Sequence, residues 1–348
     1  MPKRISCAAL AAAMLWSGGV MAAEDCSLKQ IASLPITTTE SGKIAVPVKV
    51  DGVDRLFAIE LGSATSGINA NLIDELKLDT HPIPGADVPA NLNDIFMMPA
   101  SSAFIYQDDR FTGGVKTTIM RKVTLPEFQL GALDLKGVAV TALPAWTDAS
   151  GVAGILGTGL LQHVDVELDF KHAKMNLYSQ DHCAGKVVYW ANEYAALPIS
   201  LNPLTGEILA AMTLDGAPLN VTLSTDPGHG EMSLGVAGKV LDLSTGSSDL
   251  KRIEHPHPVS GTEWYAHPFK ALALNGLAIQ NPTIDLFAGD DFCTQEKLHG
   301  AIYVPAAKDA ATLCQSDAVI KLAELRQLHL YFAFGEKKLF VTAVDVHR

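Results

Sequence analysis

Gly42 to Glu60 reads GKIAVPVKVDGVDRLFAIE, and Gly206 to Ser224 reads GEILAAMTLDGAPLNVTLS. The two stretches match at a constant offset of 164 residues (206 − 42): Gly42 meets Gly206, Asp51-Gly52 meets Asp215-Gly216, and apolar positions such as Ile59 and Leu223 coincide. Asp-Gly between two alternating runs marks a tight hairpin, because the turn needs positive φ. Each half of the chain therefore opens on the same predicted β-hairpin.

The offset returns over a hundred residues later. Gly154 to Leu177 (GILGTGLLQHVDVELDFKHAKMNL) aligns with Val319 to Val341 (VIKLAELRQLHLYFAFGEKKLFV), so that Leu161 meets Leu325, Val164 meets Leu328, Phe170 meets Phe334 and Lys174 meets Lys338. Between them, Leu130 to Val140 (LGALDLKGVAV) is similar to Leu272 to Ile284 (LALNGLAIQNPTI), with the offset slipping by about 20. One identical offset at two distant places, in the same order, argues for an internal duplication. Two copies are too few for a solenoid, and they suit a pair of lobes about a pseudo-twofold axis.

Composition sets the surroundings. Lys3 and Arg4 precede an apolar, uncharged run from Ile5 to Val20, and Val20-Met21-Ala22 and Met21-Ala22-Ala23 fit a small-residue cleavage site. Residues 1–23 are expected to be a signal peptide, too short in its apolar part for a spanning helix. The remaining 325 residues (348 − 23) exceed what one core usually supports, which predicts lobes at 24–190 and 191–348. The net charge of −12 becomes −14 without Lys3 and Arg4, and with no basic run this argues against nucleic-acid partners and anionic membranes. No later stretch has 18 uninterrupted apolar residues, so no membrane insertion is expected after signal removal, and a periplasmic or secreted location is. Outside the signal stand Cys26, Cys183, Cys293 and Cys314, an even number in an oxidising compartment. Three pairings are open; Cys26–Cys183 and Cys293–Cys314 would keep each bridge within one half.

Lys43–Val50, Leu56–Glu60, Gly137–Leu143 and Val164–Phe170 are short β-branched or alternating runs bounded by turn residues. Helical signals are confined to Asn71–Leu78, a turn near Leu160, and Ala318–Leu328. The expected fold class is all-β, with few short helices.

A strand pair with a glycine turn, an apolar strand running into a three-residue loop, then Gly154-Ile155-Leu156-Gly157 and a strand ending in Asp169-Phe170, resembles one lobe of a retropepsin-like or pepsin-like aspartic protease. The resemblance covers roughly Ile36 to Val346, and bacterial exported members of this family often carry two such lobes. It implies two homologous β-barrel lobes with a cleft between them. It also implies one Asp-Thr-Gly loop per lobe. The two aspartates share a proton because they cannot both ionise at close range, and one acts as base and the other as acid on a water.

The loops of this chain depart from that pattern. The first lobe has Glu60-Leu61-Gly62: the carboxylate is one methylene longer, and Leu61 cannot make the cross-axis hydrogen bond of the family's threonine. In the second lobe the constant offset gives Ser224-Thr225-Asp226. A register shifted by two gives Asp226-Pro227-Gly228, at the cost of an insertion that would disrupt strand alternation. The candidate catalytic positions are therefore Glu60, Ser224 and Asp226, with Gly62 and Thr225 in the loops.

Two segments are candidate flaps: Ala103–Thr118 with Tyr106, and Gly261–Phe269 with Trp264 and Tyr265. Aromatics on a hairpin suit peptide recognition. Glu254-His255-Pro256-His257-Pro258 reads as a proline-stiffened loop rather than a metal site, and no cofactor or metal is expected. Three functions follow from these residues. The first is an exported aspartic-protease relative with lost or weak proteolysis, binding a peptide or unfolded protein segment in the interlobe cleft. The second is an atypical endopeptidase using Glu60 with Asp226. The third is a structural or assembly protein.

Overall fold

The computed structural model describes residues 26–89, 111–112, 115–143, 145, 151–203, 205–254, 263–288 and 315–344. The signal segment 1–23, Tyr106, Cys293, Cys314, His255 and His257 lie outside the described residues.

The duplicated hairpin forms in both halves. Strands Ile44–Val50 and Val53–Glu60 pair antiparallel from Ala45↔Ala58 to Val50↔Val53. Ile208–Leu214 and Ala217–Leu223 pair in the equivalent register. Asp51 (φ 49°) and Gly52 (φ 78°), and Asp215 (φ 50°) and Gly216 (φ 87°), supply the two positive dihedrals that each two-residue turn demands. The alternation in sequence buries Val46, Val48 and Val50 of one hairpin and Ala210, Met212 and Leu214 of the other.

The 164-residue offset extends to the long-range pairing. Ile59 lies parallel to Leu156, and Leu223 lies parallel to Ile320. Four short helices repeat it: α1 (Ala70–Leu76) matches α3 (Leu234–Leu241), and α2 (Thr158–Leu161) matches α4 (Leu322–Leu325). Even the caps correspond. The Asn69 side chain accepts from Leu72 N at 2.9 Å, and Ser233 Oγ accepts from Val236 N at 3.1 Å.

The two halves meet in a central antiparallel sheet whose order is Gln30–Pro35, Lys174–Tyr178, Asp165–Asp169, Leu328–Ala333, Lys338–Ala343, Ala195–Leu201. At its middle, Val166 pairs with Phe332, Glu167 with Tyr331 and Leu168 with Leu330. The offset converts Glu167 into Tyr331, its own partner, so the pseudo-twofold axis passes through that pair. One apolar cluster runs from Ala32 in the first half to Val341 in the second, because the shared sheet packs residues of both halves together.

The fold is all-β with two lobes, as the duplication predicts. Cys26 and Cys183 are joined by a disulfide, tying the chain before Gln30–Pro35 to the chain after its neighbour Lys174–Tyr178. The helix expected over Ala318–Leu328 is corrected: Ala318–Ile320 is a strand paired with Val221–Leu223, and only Leu322–Leu325 is helical. Apolar residues there serve a buried parallel strand, which periodicity does not distinguish from a buried helix. The reverse error occurs at α3. Gly235 and Gly238 weaken its helical signal, yet the Ser233 cap and the buried Leu234 and Ala237 hold it.

Candidate functional site

Glu60 ends its strand beside Gly157 and is 1% exposed. Ser224 follows the equivalent strand, its N–H donating to Ile320 O at 2.9 Å. The loops after them interlock across the axis. Leu61 N donates to Thr225 Oγ1 at 3.0 Å, and Thr225 Oγ1 donates to Ile59 O at 2.6 Å. One threonine thus grips the main chain of the other lobe on both sides of Glu60. The reciprocal grip is missing, since Leu61 stands in its place and is fully buried in the core.

Further contacts fix the lobes around these loops. Ala64 N donates to Thr205 O at 2.7 Å, and Thr158 Oγ1 donates to Gly206 O at 2.6 Å. A Cβ on Gly206 would stand 2.4 Å from Ala64 Cβ, and one on Gly42 3.0 Å from Pro227 Cβ. Hence the glycine opening each hairpin packs on the loop of the opposite lobe. The shared offset of these glycines has a steric reason.

The position of Thr225 puts Ser224 in the place equivalent to Glu60 and Asp226 in that of the buried Gly62. The backbone therefore follows the ungapped register. The acid nevertheless comes from residue 226. Asp226 Oδ2 accepts from Ser224 Oγ at 3.2 Å, and Lys43 Nζ lies 3.9 Å from Asp226 Oδ1 and 3.4 Å from Glu60 Oε2. The remaining oxygen, Glu60 Oε1, is buried with no hydrogen-bond partner among the described residues. Burial, and then the neighbouring Asp226 carboxylate, push Glu60 up to about 8, against a smaller opposing pull from Lys43. The centre is one lysine beside two acids, of which Glu60 holds its proton more tightly than an ordinary carboxyl.

Lys43 is the residue that motif reading missed. The hairpin register held the signal: continued two residues beyond Ala45↔Ala58, it sets Lys43 directly opposite Glu60. Trp264 and Tyr265 make their contacts elsewhere. Trp264 is 7% exposed and packs its ring 5.5 Å from Phe287, within the strands Glu263–Ala266 and Ile284–Ala288. Tyr265 is half-buried and donates to Glu263 Oε2 at 2.7 Å. His229 faces Glu324 at 3.4 Å, and Glu231 is paired with Lys321. Among the described residues no group of three or more His, Cys, Asp or Glu could hold a metal ion.

The crystal structure of the aspartic proteinase from Irpex lacteus superposes on this chain with a TM-score of 0.50, over 90% of this chain and 97% of that one, at 11% identity. The fold is that of the aspartic proteinases. Basic 7S globulin from soybean (TM-score 0.47, 8% identity, 92% of this chain and 100% of that) and conglutin gamma from lupine seeds (0.45, 8%, 91% and 95%) are also similar. No family model and no curated protein sequence matches the chain. Within that fold, the loops carrying Glu60 and Thr225 bond to each other where the two halves join.

Proposed function

We propose that this chain is an exported, aspartic-protease-related protein without efficient peptide hydrolysis, whose interlobe groove binds an extended peptide or unfolded protein segment. The observation that carries the first half is Lys43, in ion-pair range of both Glu60 and Asp226. Aspartic-type hydrolysis needs a water between two carboxylates that share one proton. A lysine ammonium 3.4 Å from Glu60 and 3.9 Å from Asp226 puts a cation without a lone pair at the acids that would have to hold such a water. At about 4 Å and an effective dielectric near 20, the attraction to an ionised Asp226 is on the order of 4 kcal/mol before desolvation, which favours keeping the cation at the pair. Ser224, a hydroxyl at the second lobe's equivalent position, supplies no second carboxylate.

The peptide-binding half rests on the two-lobed fold and its likeness to an aspartic proteinase. The Cys26–Cys183 disulfide and the fold fit an extracytoplasmic protein. A periplasmic or secreted location is the finer reading.

A second reading rests on a specific observation. Burial raises the proton affinity of Glu60 beside the Asp226 carboxyl, and two neighbouring acids of which one holds a proton are the arrangement that acid–base hydrolysis uses. One experiment separates the two. An unstructured protein is incubated with the wild type and with Glu60→Ala from pH 4 to pH 8, and fragments are read by mass spectrometry. No cleavage is expected from either. Cleavage by the wild type that disappears in Glu60→Ala would establish the second reading instead. The groove is tested by equilibrium binding of a fluorescent unfolded polypeptide, with no saturable binding counting against it.

A further inference from the structure

Lys43, Glu60 and Asp226 together contain every group that an amide condensation requires: an amine, a carboxylic acid and a proton acceptor. We propose that Lys43 and Glu60 become joined by a side-chain isopeptide bond, formed by the folded chain itself with Asp226 accepting the proton.

The geometry is that of reactants already assembled. Lys43 and Glu60 stand opposite one another at the open end of a hairpin whose register is fixed down to the Asp51-Gly52 turn. Nζ lies 3.4 Å from Oε2, a hydrogen-bond contact that holds the amine at the carboxyl group it would attack. The Glu60 side chain is 2% exposed, and the Asp226 carboxylate lies against it. Because burial and Asp226 raise its proton affinity, Glu60 presents a neutral carboxyl carbon rather than an anion that repels a nucleophile. Asp226 Oδ1, at 3.9 Å from Nζ, is placed to take the ammonium proton, and Ser224 Oγ steadies its other oxygen. Thr225 holds the Glu60 loop against the second lobe on both flanks, so the acceptor and the reacting pair stay in register.

The step balances without a cofactor or an oxidant. The Lys43 ammonium gives one proton to the Asp226 carboxylate. The free amine attacks Glu60 Cδ and forms the C–N bond; the C–O bond to the hydroxyl then breaks. That hydroxyl leaves with the second amine proton as water, through the Lys43 side, whose side chain is 27% exposed. The product is an amide, one water and a protonated Asp226. Condensation would remove two ionisable groups from a buried site, which favours the product in a setting where charge is costly. It goes beyond the absence of proteolysis: the carboxylate at the first lobe's catalytic position is consumed.

The test is the intact mass of the purified, folded protein after disulfide reduction, referred to its observed N-terminus, with peptide mapping. The wild type is expected to be lighter than its sequence by one water, with a branched peptide joining Lys43 to Glu60. Lys43→Arg keeps the cation but cannot condense, and Asp226→Asn keeps the shape but cannot accept the proton; both are expected at full mass. Circular dichroism checks that they are folded, and the link persisting in urea distinguishes a covalent bond from an ion pair. Full mass in the wild type, or loss of water retained in Lys43→Arg, overturns the proposal. Full mass leaves the non-proteolytic reading intact, because that reading rests on the position of Lys43 alone.

Discussion

Glu60 sets the electrostatics of the molecule at the scale of a residue. Its proton affinity is raised by burial from an ordinary 4.5 to about 8, so between those values the folded state keeps a proton that the unfolded state has lost. Stability must then fall as pH rises through this window, be unaffected below it and be constant above it. Asp165, Glu207 and Glu324 are raised by burial as well and tilt the curve the same way. The diagnostic quantity is therefore a difference. On a Lys43→Arg background, where no amide can form, adding Glu60→Gln is expected to gain steadily from pH 4.5 to pH 8 in chemical-denaturation midpoints. A constant difference across that range would contradict the assignment. A second residue-scale prediction concerns Thr225. Thr225→Val keeps the shape but removes both cross-axis hydrogen bonds, leaving Leu61 N and Ile59 O buried and unpaired. A loss of about 2–4 kcal/mol is expected in urea unfolding.

At the scale of an element, the hairpins explain what can and cannot be changed. Gly206 and Gly216 both sit at positive φ (71° and 87°), but only Gly206 packs on the other lobe, where an added Cβ would stand 2.6 Å from Ala64 Cα and N. Gly216→Ala bears only the backbone penalty, about 1 kcal/mol. Gly206→Ala must also displace the Ala64 main chain and is expected to be at least twice as damaging, read by thermal unfolding of the two variants side by side. The same elements show what the sequence discloses. Each strand pair with a two-residue turn was legible, because alternation and Asp-Gly are local signals. Ala318–Ile320 and α3 were not, since a buried parallel strand and a glycine-containing helix are decided by their neighbours.

For the whole molecule, the central sheet carries a buried polar system that no motif announces. Asp165, Glu167 and Asp169 alternate on one face of their strand, all buried. Glu167 accepts from Asn176 Nδ2 (2.6 Å), Tyr178 OH (3.0 Å) and Tyr189 OH (2.9 Å), and lies 2.8 Å from His329 Nε2 of the other half. Trp190, in the chain joining the halves, stacks on His329 with ring centroids 4.2 Å apart. Glu167→Ala would leave four polar groups without their shared acceptor across the lobe boundary. It is expected to cost about 3–5 kcal/mol, measured by denaturant titration. A change below about 1 kcal/mol would mean that water replaces the carboxylate.

By itself the sequence determined the duplication, the two hairpins, the all-β class, and the departures from Asp-Thr-Gly at Glu60-Leu61-Gly62 and Ser224-Thr225-Asp226. Those features are written in local alternation, in turn chemistry and in a constant offset, all of which survive without a third dimension. The tertiary structure alone decided that Thr225 grips the opposite lobe while Asp226 turns its carboxylate towards Glu60, and that Lys43 reaches both acids. It also brought Asp165 and Glu167 into contact with Tyr331 and His329, more than 160 residues away. The physical reason is common to all of these. Side chains at the end of a strand meet partners chosen by how the two lobes close on their axis, and that closure is a property of the packed core rather than of any segment within it.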